Sequence, residues 1–129
     1  MSIITIDLKI LEMYRDLEIT INKLDEATYN FAPPEYYWSV EVCKEHIINL
    51  LEKYKSNEIS HADVVTWANF ILFSEWYRYC EKYQDKIGYI LDKLEEIDEK
   101  GKELTPKKVE IFLSFLRDEL DLEELKANK

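Results

Sequence analysis

The chain is poor in the residues that interrupt regular structure. It has two glycines and three prolines in 129 residues, fewer than tight turns and sheet architectures usually use. Phosphate-cradling loops and sharp nucleophile turns both depend on glycine, so the sequence favours neither kind of catalytic site. Leu, Ile, Glu and Lys are abundant instead, and these residue types are common in helical proteins. The composition predicts an all-α protein.

The sequence contains no sign of a boundary between domains. No internal repeat, low-complexity tract or long linker occurs in the sequence, and 129 residues are enough to bury a core without disulfides or metal. We therefore expect a single helical domain over residues 1–129.

Cysteine is scarce as well. Cys43 and Cys80 are the two cysteines, and the chain does not start with a basic region followed by an apolar run. This usage is typical of reduced core thiols in a cytoplasmic protein. Whether the two thiols are near each other is left open. Cys43 and His46 have helical spacing, but no further ligand accompanies the pair, so we expect no metal and no cofactor.

A long apolar run is also missing. Residues 64–80 form the most apolar segment, and a membrane span needs roughly 18 uninterrupted apolar residues. Polar side chains interrupt the segment at Thr66, Asn69, Ser74, Glu75 and Arg78. Its large apolar residues cover nearly all sides of a helix, which favours enclosure by other helices. We expect no membrane association and a central helix over about residues 61–83.

The flanking segments predict an antiparallel bundle of about five helices around this centre. The first helix should run from near Thr5 to the residues before Pro33 and Pro34, which end it. Its apolar residues form a seam with steps of mostly three and four: Ile10, Tyr14, Leu17, Ile21, Leu24 and Phe31. Ser39 should cap a second helix that ends near Asn57.

Start and stop signals define the remaining helices. Ser60 and Asp63 have the spacing of a capping box at the start of the central helix. A turn is expected over residues 84–88, followed by a fourth helix that Gly101 terminates. Thr105, followed directly by proline, should cap the last helix. Residues beyond 120 are expected to form an acidic tail that frays at its end.

Basic residues are in deficit. The chain has 27 acidic against 17 basic residues and a formal net charge of -10. A field of this sign repels a phosphate backbone, so we expect no nucleic-acid binding, and it attracts a basic protein. Excess acid also increases solubility, which is the simpler explanation of the same charge.

Two acidic clusters are the candidate docking surfaces. Asp92, Glu95, Glu96 and Glu99 are spaced to share the outward side of the fourth helix, with Lys93 as the base among them. A second cluster contains no base: Asp118, Glu119, Asp121, Glu123 and Glu124. Such clusters are either solvated helix surfaces or docking sites for lysine and arginine.

Aromatic residues follow the two prolines directly. Tyr36, Tyr37 and Trp38 lie in this stiffened connection, where their rings could plug the open end of the bundle. The other interpretation is an exposed aromatic anchor of the kind that dominates protein interfaces. Tyr36 and Tyr37 are therefore candidate partner-binding residues.

No residue pattern indicates catalysis. Arg78 is the basic residue within the predicted central helix, and Glu75 and Glu81 are each three positions away, so we expect it to be paired. The carboxylates on predicted helix surfaces are better explained by solvation than by acid–base chemistry. We do not expect an enzyme.

One segment resembles a known class of proteins. The run from Leu50 to Ala68 has an apolar pair, then Tyr54, Glu-Ile-Ser at 58–60, an acid and Trp-Ala at 67–68. This pattern resembles small all-helical bacterial immunity proteins of contact-dependent inhibition and colicin-type systems, with Asn57 where a glycine would be expected. The resemblance implies an inhibitor that binds its cognate toxin, often a nuclease. The acidic charge independently favours a basic partner.

The leading hypothesis is thus a cytoplasmic immunity protein that neutralises a basic toxin through the surface of Asp92, Glu95, Glu96 and Glu99, together with Tyr36 and Tyr37. The alternative is a helical structural or regulatory interaction module, including a homodimer formed through the seam of the first helix. The sequence leaves the oligomeric state open.

Overall fold

The computed structural model describes residues 8–28, 40–74 and 76–127. These ranges are mostly helical, which confirms the all-α prediction in its broad form, and they add one small two-stranded sheet. The helices are α1 (Leu8–Arg15), α2 (Ile21–Thr28), α3 (Lys44–Lys55), α4 (His61–Phe73), α5 (Gln84–Glu95), α6 (Pro106–Leu116) and α7 (Leu122–Ala127). The strands are β1 (Val40–Val42) and β2 (Tyr77–Tyr79).

The predicted first helix is two short helices, so the single long seam is wrong. Leu17 lies between α1 and α2 with a left-handed φ of 63°, a conformation that a helix cannot continue through. Of the seam residues, Tyr14 and Leu24 are buried in the core of this same protein, and Ile10, Leu17 and Ile21 pack against it. The seam residues therefore pack inward from two separate helices, while Phe31 lies outside the described residues.

The start of the predicted second helix is also wrong. Val40 to Val42 form β1, and α3 begins only at Lys44, with Cys43 as its N-cap. Val40 and Val42 are buried while Glu41 is exposed, the alternation of a half-buried strand, which suits β-branched residues. The predicted end is confirmed, because Ser56 follows the last residue of α3 and Asn57 has a left-handed φ of 65°.

The central helix α4 begins as predicted and ends ten residues earlier than expected. The Ser60 hydroxyl accepts from Asp63 N at 3.1 Å, and the Asp63 carboxylate accepts from Ser60 N at 2.9 Å, so the capping box is confirmed. After Phe73 the chain turns and enters β2, which pairs in parallel with β1. No helix among the described residues is long and apolar enough to cross a bilayer.

Enclosure of α4 is incomplete. Trp67, Ala68 and Ile71 are fully buried or nearly so, and Trp67 Nε1 donates to the carbonyl of Arg15 at 3.2 Å. Phe73 is 73% exposed, contrary to the expectation that every apolar side of this helix is covered. The buried side of α4 packs mainly against α5.

The carboxyl-terminal half follows the predicted start and stop signals with three differences. The turn expected over residues 84–88 is wrong, because α5 begins at Gln84 and includes these residues. Gly101 has a left-handed φ of 85° as expected, but α5 ends at Glu95 and a series of turns connects the two. Thr105 caps α6, accepting from Lys108 N at 3.2 Å. The residues expected to form an acidic tail instead form α7, which is anchored by the buried side chain of Leu125, and the end that was expected to fray lies outside the described residues.

Candidate functional site

The first acidic cluster does not lie on one helix. Asp92 and Glu95 belong to α5, Glu96 is its C-cap, and Glu99 lies in the following turns. The prediction that all four residues share one helical side is wrong for Glu96 and Glu99, because the helix ends before them. Asp92 and Glu99 are exposed, whereas Glu95 and Glu96 are partly buried.

A basic residue from outside the cluster, Lys102, neutralises part of it. Lys102 Nζ lies 3.0 Å from the Glu99 carboxylate and 3.5 Å from that of Glu96, and the hydrogen bond to Glu99 is the main reason that the Lys102 pKa is raised. His61 Nε2 lies 3.1 Å from Asp98. Lys93 is therefore not the sole base near these acids, and the surface is less negative than the sequence indicated.

The second acidic cluster surrounds a groove between the start of α5 and the α6–α7 junction. The groove has a volume of about 440 Å³. Its apolar lining comes from Phe115, Leu120 and Leu122, and Leu122 is 41% exposed. Among the described residues that line it, the charged ones are Asp85, Lys86, Asp118, Glu119, Asp121 and Glu124. An apolar floor thus carries a rim with five carboxylates and one ammonium group.

Asp118 is fixed at the end of α6. It has a left-handed φ of 63°, and its carboxylate pairs with Lys44 at 2.7 Å and with Lys86. The hydrogen bonds from these two lysines lower the pKa of Asp118 to about 2. The second cluster is therefore not free of bases, because these two lysines come from α3 and α5. The acids of the rim other than Asp118 therefore carry its negative charge.

The start of α7 sets the positions of two further rim acids. Glu124 N donates to Asp121 Oδ1 at 2.8 Å, and Asp121 N donates to Glu124 Oε1 at 3.4 Å. This reciprocal pattern is that of a capping box. Asp85 lies in the first turn of α5, where the helix dipole favours an acid, and Glu119 is exposed. The groove therefore holds negative charge on well-defined backbone.

Tyr36 and Tyr37 lie outside the described residues, so their predicted contact role stays a prediction. Arg78 is described and lies in β2 rather than in a helix, so the helical spacing to Glu75 and Glu81 does not apply. It is paired across the sheet with Glu41, at 4.0 Å from Nη2 to Oε2.

The two cysteines are brought together by the sheet. The Sγ atoms of Cys43 and Cys80 and a carboxylate oxygen of Glu41 all lie within 4.8 Å of one another. Burial, followed by hydrogen bonds with Cys80 and Glu41, raises the pKa of the Cys43 thiol to about 12. A thiol held protonated at neutral pH is a weak nucleophile, so this cluster gives no support to covalent catalysis.

His46 does not join the thiols. Its Nδ1 accepts a hydrogen bond from Cys43 N at 2.8 Å, and its Nε2 lies 3.7 Å from Asp16. The ring therefore helps to cap α3, and the helical spacing of Cys43 and His46 reflects that capping role. Burial, followed by the charge of Arg15, lowers the His46 pKa.

No protein-family model matches the chain, and neither the curated proteins nor the solved structures include a significant match.

Proposed function

We propose that this protein is a non-enzymatic immunity protein that binds and neutralises a cognate basic toxin, a nuclease, in the cytoplasm. The observation that carries the proposal is the groove between α5 and the α6–α7 junction, where carboxylates surround an apolar floor. Lysine and arginine combine a charged head with an apolar stem. A groove of this composition complements both parts of such a side chain.

The toxin class follows from charge. A nuclease needs a basic surface to hold its phosphate backbone substrate, and an acidic protein that occupies this surface excludes the substrate. Opposite charges also speed association, which an inhibitor of a lethal enzyme requires. The chain's net charge of -10 provides this attraction.

The two acidic clusters have different roles in the proposed complex. The groove makes the close contacts, because its apolar floor adds desolvated area to the charge. Asp92, Glu95, Glu96 and Glu99 extend the negative field, with Lys102 reducing it locally. Tyr36 and Tyr37 are proposed as additional aromatic contacts with the toxin. We further propose that the helices form an antiparallel bundle around α4, which would hold both surfaces in fixed positions.

The product of the adjacent upstream reading frame is the partner to test. Its expression should stop growth, and coexpression of this protein should restore growth and give a stoichiometric complex. Replacing Glu95, Glu96 and Glu99 with lysine should slow association at low salt, because the field at that surface changes sign. Normal growth arrest despite coexpression, or no complex between the purified proteins, would overturn the proposal. So would a stable symmetric dimer that leaves the acidic groove buried between its two copies.

A further inference from the structure

The parallel pairing of β1 and β2 places the two thiols side by side. Val42 is in register with Tyr79, so the next residue of each strand is a cysteine. Cys80 N donates to the carbonyl of Val42 at 2.8 Å, which continues the sheet pairing up to these residues. Neighbouring strands are about 4.8 Å apart, so side chains at matched positions meet. Glu41 lies two residues before Cys43, on the same side of its strand.

The spacing of these three side chains matches that of metal ligands. Cys43 Sγ lies 3.4 Å from Glu41 Oε1, and both sulfurs lie within 4.8 Å of each other and of that carboxylate. In a tetrahedral zinc site, ordinary Zn–S and Zn–O bond lengths set sulfur and oxygen ligands about 3.5 Å apart and two sulfurs about 3.8 Å apart. The atoms therefore need to move little to hold one ion.

We propose that Glu41, Cys43 and Cys80 bind a thiophilic divalent cation of the zinc class, with water completing a tetrahedral site. The two thiols release their protons to solvent as the metal–sulfur bonds form, so that one divalent ion replaces two protons. Thiolates favour such ions over magnesium or calcium, whose preferred ligands are all oxygen.

The surroundings of Glu41 leave one of its carboxylate oxygens available to bind the metal ion. Its Oε2 faces Arg78 Nη2 at 4.0 Å, its Oε1 faces Cys43, and Arg15 Nη1 donates to its backbone carbonyl at 2.9 Å. Arg78 and Arg15 orient the residue, and their positive charge weakens the attraction for a cation. We therefore expect weaker binding than at a four-cysteine site.

A metal at this site would join two parts of the fold. It would link the start of α3 to the segment that leads into α5, through the ends of both strands. An ion that binds the folded state alone raises stability, so zinc should raise the unfolding temperature of the protein.

Cobalt(II) added to the reduced, metal-free full-length protein tests the site. We expect one ion per chain, sulfur-to-cobalt charge-transfer absorption in the near ultraviolet, tetrahedral visible bands, and displacement by zinc. Cys80→Ser should abolish the charge transfer of a two-thiolate site. Glu41→Gln should weaken binding at least tenfold, while Glu45→Gln, a nearby exposed acid on α3, should leave it unchanged.

Two checks keep the result independent of folding. Circular dichroism of each metal-free variant shows whether it folds. If Cys80→Ser does not fold, Glu41→Gln still tests the site. Zinc should also protect both thiols of the wild-type protein from alkylation. Absence of charge transfer in folded wild-type protein, alkylation at an unchanged rate, or equal binding by Glu41→Gln and wild type would overturn the three-ligand site.

Discussion

Lys44 Nζ lies 2.7 Å from the carboxylate of Asp118, which joins the first turn of α3 to a residue two positions beyond the end of α6. Lys86 reaches the same carboxylate from α5 and also donates to the carbonyl of Phe115 at 3.0 Å. Three helices thus meet at one acid. This contact defines one wall of the acidic groove and gives the first prediction.

The Asp118 carboxyl should titrate with a pKa of about 2, against about 3.9 for an ordinary aspartate. Because the folded-state pKa is depressed, the stabilisation is present above the unfolded pKa and is lost as pH falls through the folded pKa. NMR titration of the carboxyl carbon measures this value directly. Lys44→Met should raise it, since one charged hydrogen-bond donor is removed.

Lys55→Met is the matched control for that titration. Lys55 pairs with Glu110 at 2.6 Å, away from Asp118, so its loss should leave the Asp118 titration unchanged. A normal aspartate titration in the wild-type protein would contradict the described pairing.

Asn57 provides a prediction about the left-handed turn between α3 and α4. Asparagine tolerates its φ of 65°, while a β-branched residue does not. Asn57→Val should lower the free energy of unfolding by about 1–2 kcal/mol, and Asn57→Gly should lower it little or raise it. Urea unfolding measures both. Asn22→Val on the helical backbone of α2 is the control, and an equal loss at both positions would argue against the left-handed turn.

The buried hydroxyl of Tyr77 should contribute to stability. It donates to the carbonyl of Leu11 at 2.7 Å and ties β2 to α1. Tyr77→Phe should lower the free energy of unfolding by about 1 kcal/mol. Tyr54→Phe removes a longer, part-buried hydrogen bond to the carbonyl of Leu104 at 3.3 Å, and its effect should be smaller. If urea unfolding shows a larger loss of unfolding free energy for Tyr54→Phe than for Tyr77→Phe, this packing is contradicted.

The sequence was sufficient where structure depends on neighbours along the chain. The capping box of Ser60 and Asp63, the Thr105 cap and the left-handed Gly101 were each predicted from residues within a few positions. Asn57 is a related case. Its backbone is left-handed, a conformation that asparagine tolerates. This explains why asparagine stands where the resemblance led us to expect glycine.

Long-range pairing accounts for most of what was missed. The strand Val40–Val42 is three residues long, and its partner begins 37 positions later at Tyr77. So short an alternation of buried and exposed residues cannot be distinguished from a helix start by pattern alone. The same pairing ended α4 early and brought Cys43 beside Cys80. Leu17 was missed for a different reason, since leucine gives no local sign of a left-handed backbone.

The candidate surfaces also depend on contacts between residues that are far apart in the sequence. The positions of Asp92, Glu95, Glu96 and Glu99 in the sequence indicated a negative side, but Lys102 reaches back to this cluster only because α5 ends at Glu95. The groove could not be predicted at all, because it depends on how α7 turns back at Asp121 and on how the start of α5 lies beside it.

The central claim is that a basic toxin docks in the acidic groove. Its most direct test is the association rate of the upstream gene product with a variant carrying Asp85→Lys and Glu119→Lys, measured at low and high salt. The matched control carries Glu12→Lys and Glu26→Lys, two exposed acids on α1 and α2, so that the net charge changes equally. We predict at least about a tenfold slower association for the groove variant at low salt, with a smaller difference at high salt. Equal rates for the groove variant and the control would contradict the claim.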